Sequence, residues 1–97
     1  MNPDPLRGRN KRDAIAFEYR CIAELRARYS FRFSVPLVLN GEIVVPARRL
    51  DLIHPREPGN AAAGNCDDCN APVQFSDVLV VEVPLLCACC AWLRVAP

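Results

Sequence analysis

The apolar positions of this chain change period part-way along. Between Asp13 and Tyr29 they recur every three to four residues: at 100° per residue, Ile15, Ile22 and Tyr29 fall within about 40° of one another, and Cys21 and Leu25 widen the stripe. Asp13, Arg20 and Glu24 occupy the opposite side, flanked by Ala16, Ala23 and Ala27, small residues that permit close approach of another element. This pattern predicts an amphipathic helix, with Asn10 as its N-cap and Asp13 in the first turn to complement the helix dipole. The period then becomes two. Phe31, Phe33 and Val35 alternate with Arg32 and Ser34, which predicts a strand. Leu37-Val38-Leu39 and Ile43-Val44-Val45 flank Asn40-Gly41, a pair that accepts the positive φ angles of a type I′ turn and so predicts a hairpin. Pro36 and Pro46 cannot donate to a ladder, which assigns them to edges, strand ends or bulges. Leu50, Leu52 and Ile53 suggest one more short strand.

Pro55 to Asn65 has two prolines, two glycines and no large apolar residue, the composition of a loop or linker. The apolar run from Val78 to Ala96 is interrupted by Glu82, Pro84, Arg94 and cysteines, which reads as two buried strands flanking a turn and argues against a membrane span. The chain therefore divides into a basic arm over 1–9, a helix plus β-hairpin region over 10–54, the linker over 55–65 and a cysteine-bearing region over 66–97, together making one compact domain. A chain of 97 residues buries a thin core, and small domains often need a metal or disulfides to hold them.

That staple is written in the cysteines. Cys66-Asp67-Asp68-Cys69 and Cys87-Ala88-Cys89-Cys90 form a CxxC–x17–CxxC array. A CxxC turn presents two sulfurs to one ion, and two such turns supply a closed tetrahedral S₄ site that suits Zn²⁺ and leaves no position open for water. Between the pairs, apolar alternation on both sides of Ser76-Asp77 predicts a hairpin that returns the chain to the first pair, and Ala91 to Val95 offers a third strand. Residues 64–96 thus resemble a zinc ribbon, two knuckles on a small antiparallel sheet. The resemblance implies a structural zinc held by Cys66, Cys69, Cys87 and Cys90, and no particular activity. The knuckle glycine common in ribbons is absent. Cys89 competes with its neighbours as a ligand, Cys87 and Cys90 being preferred because they keep the CxxC spacing. A redox pair, disulfides and an iron–sulfur cluster are the competing readings of the same residues. Cys21, on the apolar arc of the helix, reads as a small buried hydrophobe. The fold class expected is α+β: one N-terminal helix, a β-hairpin in a small antiparallel sheet, and a C-terminal zinc-ribbon-like knuckle pair.

Charge is uneven. Residues 1–56 carry eleven Lys/Arg and six Asp/Glu, a balance of +5, whereas residues 57–97 carry one Arg and five acids, a balance of −4. Eleven of the twelve basic residues are arginine, which favours bidentate contacts to carboxylate or phosphate. Arg7, Arg9, Lys11 and Arg12 run into a helix that adds Arg20, Arg26 and Arg28, a surface for nucleic acid or another anionic partner. Tyr29, Phe31 and Phe33 interleave with basic residues, although their alternation favours the core. Trp92 is expected to pack beside the metal site. His54 is the only histidine, and no Ser/His/Asp order, HExxH, P-loop or GxGxxG is present, so no enzyme and no small-molecule substrate are expected. The first twelve residues lack an apolar h-region. Without a secretory signal, six cysteines point to a reducing, cytoplasmic setting. Two functions fit: a non-enzymatic zinc module in nucleic-acid machinery, or a protein-only interaction factor, such as an assembly subunit or a small anti-defence inhibitor of a phage or mobile element.

Overall fold

The computed structural model describes residues 3–52, 61–76 and 82–97. Helix α1 spans Lys11–Arg28, and its cap is the expected one: the Asn10 side-chain oxygen accepts from the Asp13 N–H at 2.8 Å. The buried face consists of Ala14, Cys21, Ile22 and Leu25, with Leu25 fully enclosed. Tyr29 closes the helix by donating its N–H to the Leu25 carbonyl.

Strands β1 (Leu37–Leu39) and β2 (Glu42–Arg49) form the predicted hairpin, pairing Leu37 with Val44, Val38 with Ile43 and Leu39 with Glu42. Asn40 at φ 50° and Gly41 at φ 82° both take the left-handed region that a type I′ turn requires. Leu37 and Leu39 face the core while Val38 faces out, as alternation demands. β2 then changes partner along its length. Val45, Pro46 and Ala47 pair in parallel with Leu85, Leu86 and Cys87 of β5 (Leu85–Cys87), and Arg48 and Arg49 pair antiparallel with β4 (Pro72–Ser76). β3 (Ala61–Asn65) completes the sheet on the far side of β4. Gly64 admits Leu85 against β3, because a Cβ there would lie 2.9 Å from Leu85 Cδ1. Helix α2 (Ala88–Val95) follows β5 without a break and buries Ala88, Cys89, Cys90 and Ala91. The result is a mixed α+β fold, with both helices and the sheet sharing one core.

Four expectations are corrected. Ala91 to Val95 lies in α2 and is not a strand. A short apolar run broken only by Arg94 has too little periodicity with which to choose, and the choice falls to Cys87, which caps the helix by accepting from the Cys90 N–H at 3.5 Å. Leu50–Leu52 is a 3₁₀ turn, because Asp51 folds back to bind Arg49 two residues earlier. Phe31 and Phe33 lie outside any strand: Ser34 adopts φ 65°, which breaks the extended run, and the two rings meet edge to face at 5.1 Å. Pro46 sits inside β2, in the middle of its pairing with β5 and beyond the last β2 residue paired to β1, and its carbonyl accepts from the Ser34 N–H. The hairpin predicted about Ser76-Asp77 lies partly outside the described residues. The strand that returns, β5, pairs with β2. His54, Ile53 and most of the predicted linker also lie outside them.

The N-terminal arm is docked onto its own domain. Arg49 is 2% exposed, and its guanidinium grips both carboxylate oxygens of Asp4 at 2.7 and 2.9 Å and both of Asp51 at 2.8 and 3.0 Å. All three of its nitrogens are engaged, which meets the requirement for burying a charge. The Asp4 side chain also accepts from the Leu6 N–H, turning the chain so that Leu6 enters the core.

Candidate metal centre

Cys66 follows β3 and Cys69 lies in the turn that leads to β4, so the antiparallel β3–β4 pair carries the first knuckle at its tip. Two hydrogen bonds shape that turn: Asn70 N–H to the Cys66 carbonyl at 2.8 Å, and Cys66 N–H to the Ala71 carbonyl at 2.9 Å. Asn70 adopts φ 63°, the left-handed conformation for which knuckles often use glycine and which asparagine tolerates better than most residues. The second pair comes from a different geometry. Cys87 ends β5 and Cys90 occupies the first turn of α2, where i, i+3 spacing puts both on one side of the helix. The Asp67 N–H donates to the Leu85 carbonyl at 2.8 Å, tying the first knuckle to the strand that delivers the second.

The four sulfurs converge. Their Sγ atoms all lie within 4.8 Å of one another, with Cys69 and Cys87 at 3.9 Å. Tetrahedral Zn–S bonds of about 2.3 Å place sulfurs about 3.8 Å apart, so the spacing fits a tetrathiolate ion. Disulfide sulfurs lie at about 2.05 Å, and all six cysteines are free thiols. Burial excludes water from the ligands, as a closed structural site requires: Cys66, Cys69, Cys87 and Cys90 are all buried. Backbone N–H groups point at the sulfurs, Cys87 N–H to Cys66 Sγ at 3.4 Å and Cys90 N–H to Cys87 Sγ.

The electrostatics fit the same conclusion. Thiols packed this closely cannot all ionise by themselves. Contact with the Cys87 and Cys90 thiols and with backbone N–H groups holds Cys66 far below the thiol range. That neighbour pushes Cys87 up to about 12, and Cys90 is raised by contact with Cys66 and Cys87. Cys69 is raised chiefly by Cys87. Only a cation among the sulfurs reverses this order and favours four thiolates together. The residues present can therefore hold a metal ion.

Cys89 lies outside the four-sulfur group, its thiol against Cys21 of α1 and against Cys87. Asp68, within the first knuckle, is bound by Arg94 of α2 through Nε at 2.9 Å and Nη2 at 2.7 Å, while Arg94 Nη1 reaches Glu42 at 3.0 Å. Arg94 thus straps α2 to the knuckle and to the β1–β2 hairpin. Neither this strap nor the Asp4–Arg49–Asp51 clamp was foreseen. The one available signal was that Arg94 is the lone basic residue of an acidic half.

The seven basic residues proposed as a binding surface are all exposed, but they do not share one face. Around α1, Lys11, Arg12 and Arg26 fall within about 100°, with Arg20 and Arg28 turned farther round. Arg9 lies 4.3 Å over Phe17, Arg28 lies 5.3 Å from the Trp92 ring and 3.6 Å from Glu24, and Arg7 follows the Asp4 turn. Trp92 is half-buried against the core and meets α1 through Arg28.

No family model, curated protein or solved structure matches this chain. Among the described residues, no helix is long and apolar enough to cross a membrane.

Proposed function

We propose that this chain is a non-enzymatic zinc-binding module that acts in nucleic-acid machinery. In this reading Cys66, Cys69, Cys87 and Cys90 hold one Zn²⁺ as a structural ion, and the arginine-bearing outer side of α1 is the contact surface. The observation that carries the metal is the group of four buried sulfurs within 4.8 Å of one another. Zinc is preferred to other soft ions because two knuckles with tetrahedral S₄ spacing form a closed site without need of a redox partner. The thiols must stay reduced to bind, which fits a cytoplasmic setting.

Support for the surface comes from which cations are already engaged. Arg49 and Arg94 are committed to carboxylates inside the fold, whereas Lys11, Arg12, Arg20 and Arg26 stand exposed on one helix. The acidic first knuckle is turned to Arg94, so phosphate would meet α1 and not the metal centre. The test is a gel shift on short DNA and RNA across a salt series. Binding should be tightest at low salt and should weaken with Arg12→Glu/Arg20→Glu, because each lost phosphate contact removes part of the salt dependence. No binding at low salt would end the nucleic-acid reading.

A second reading, a protein-only interaction factor, draws on a different feature. Val38 and Ile43 form a cross-strand pair on the hairpin and are 55% and 50% exposed. An apolar pair left in solvent on an edge strand suits a protein contact. Co-purification of one stable protein partner after nuclease treatment, lost with Val38→Lys, would favour it.

A further inference from the structure

Tyr19 is 66% exposed, the most exposed large apolar side chain among the described residues, and it stands on the basic helix. It belongs to a stripe, Ile15, Tyr19, Ile22 and Arg26, whose spacing of four, three and four residues puts it along one side of α1. Phe33 and Arg48 face this stripe, and between them runs a groove of about 180 Å³. The Arg48 guanidinium lies 5.6 Å from the Phe33 ring centre. Phe33 is braced edge to face by the buried Phe31. The groove is therefore walled by two aromatic rings and two guanidinium groups over a floor of aliphatic carbon. Glu18 also lines it, leaving its charged groups at a balance of +1.

We propose that this groove receives one unpaired base of single-stranded nucleic acid, stacked on Tyr19, with Arg26 on the adjoining phosphate. The proposal rests on the nucleic-acid reading and sharpens it. Cavities that enclose whole small molecules measure roughly 300–1,000 Å³, so this one suits a single flat group with the remainder of its chain outside. Aromatic faces beside cations are how single strands are held, because every unpaired base offers a π-face and every linkage a phosphate. In a duplex those faces are already covered by neighbouring bases. An acidic protein segment would use the arginines but would gain nothing specific from Tyr19.

The test uses the full zinc-loaded chain and fluorescence anisotropy with fluorescein-labelled oligo-dT and oligo-U strands. The annealed duplexes and a labelled poly-glutamate serve as comparisons. Oligonucleotides should bind more tightly as single strands than as duplexes. Tyr19→Ala should weaken single-strand binding roughly 5- to 150-fold, and Tyr19→Phe should retain it. Arg26→Gln should lower the salt slope by about 0.7, the share of one phosphate on a single strand. Tyr19 and Arg26 are exposed, so each variant should keep its zinc and melting temperature. If strands bind but Tyr19→Ala binds as tightly as the parent, the groove is wrong and the nucleic-acid reading stands. Duplex binding as tight as single-strand binding has the same consequence. Absence of binding to any strand at low salt overturns both, as does equal affinity for poly-glutamate.

Discussion

The two halves of this molecule are held by different means. The N-terminal half, α1 with the β1–β2 hairpin, rests on devices that any small domain uses: a capped amphipathic helix, a type I′ turn and alternating apolar positions. The C-terminal half has short strands, a three-residue β5 and an eight-residue α2, and its elements meet at four sulfurs. The contrast teaches that the four sulfurs are gathered where local sequence preference is weak. The halves are also mechanically joined, since β2 pairs with both β4 and β5 and α1 packs on α2 through Cys21 and Cys89. Loss of the ion should therefore loosen the C-terminal half first and the helix face resting on it second.

The largest effect is expected from the ligands. On the proposed reading, Cys66→Ser or Cys90→Ser would remove a structural zinc, whose contribution to folding is on the order of 10 kcal/mol in small zinc domains. Both variants should lose the ion and give an NMR spectrum in which resonances of β3, β4, β5 and α2 collapse. Cys89→Ser should retain zinc and fold. If Cys89→Ser is as damaging as Cys90→Ser, the assignment of the second pair is wrong.

Next in size is the clamp that docks the arm. Arg49→Met leaves the Asp4 and Asp51 carboxylates facing each other with no cation between them, and should destabilise by about 3 kcal/mol, read as a urea midpoint. Arg49→Lys should recover only part of that loss, because an ammonium cannot grip two carboxylates bidentately. Zinc content should not change in either variant, which separates the clamp from the metal centre.

Acid tests the same clamp. The Arg49 guanidinium holds the Asp4 carboxyl below its ordinary value. A lowered folded-state pKa contributes stability that is complete above the unfolded value of about 3.9 and disappears as pH falls through the lower folded one. Asp4→Asn should therefore be less stable than the parent near neutral pH, and the two urea midpoints should converge as the medium is acidified. Protonation of the ligand thiolates would also release a bound zinc in acid, so the two midpoints are compared only at pH values where both chains retain it. Parallel curves with no convergence would place the interaction elsewhere. The smallest effect is at the helix cap: Asn10→Ala should cost about 1 kcal/mol with no change in metal content.

The N-terminal half was largely legible because its signals are local. Asn10 caps from three residues away, and Asn40-Gly41 sets its turn from two residues. The ligand spacing was legible too, since CxxC constrains sulfur positions whatever follows. What was not legible depends on side chains used in unexpected ways, near or far along the chain. Residues 91–95 read as a strand because the run is apolar except for Arg94 and too short to show a period, and the helix follows from Cys87 serving as both knuckle and N-cap. The parallel pairing of β5 with β2 and the grip of Arg49 on Asp4, 45 residues away, leave no periodic trace. Pro46 argued against an interior strand position, yet β2 holds it in the middle of its pairing with β5.

The central claim is that one zinc ion, held by Cys66, Cys69, Cys87 and Cys90, joins the two knuckles. Elemental analysis with native mass spectrometry of the full chain, purified under reducing conditions without added metal, tests it most directly. The account predicts one zinc per chain, removed by a chelator together with the C-terminal structure. A metal-free chain with the same melting temperature before and after chelation would contradict it.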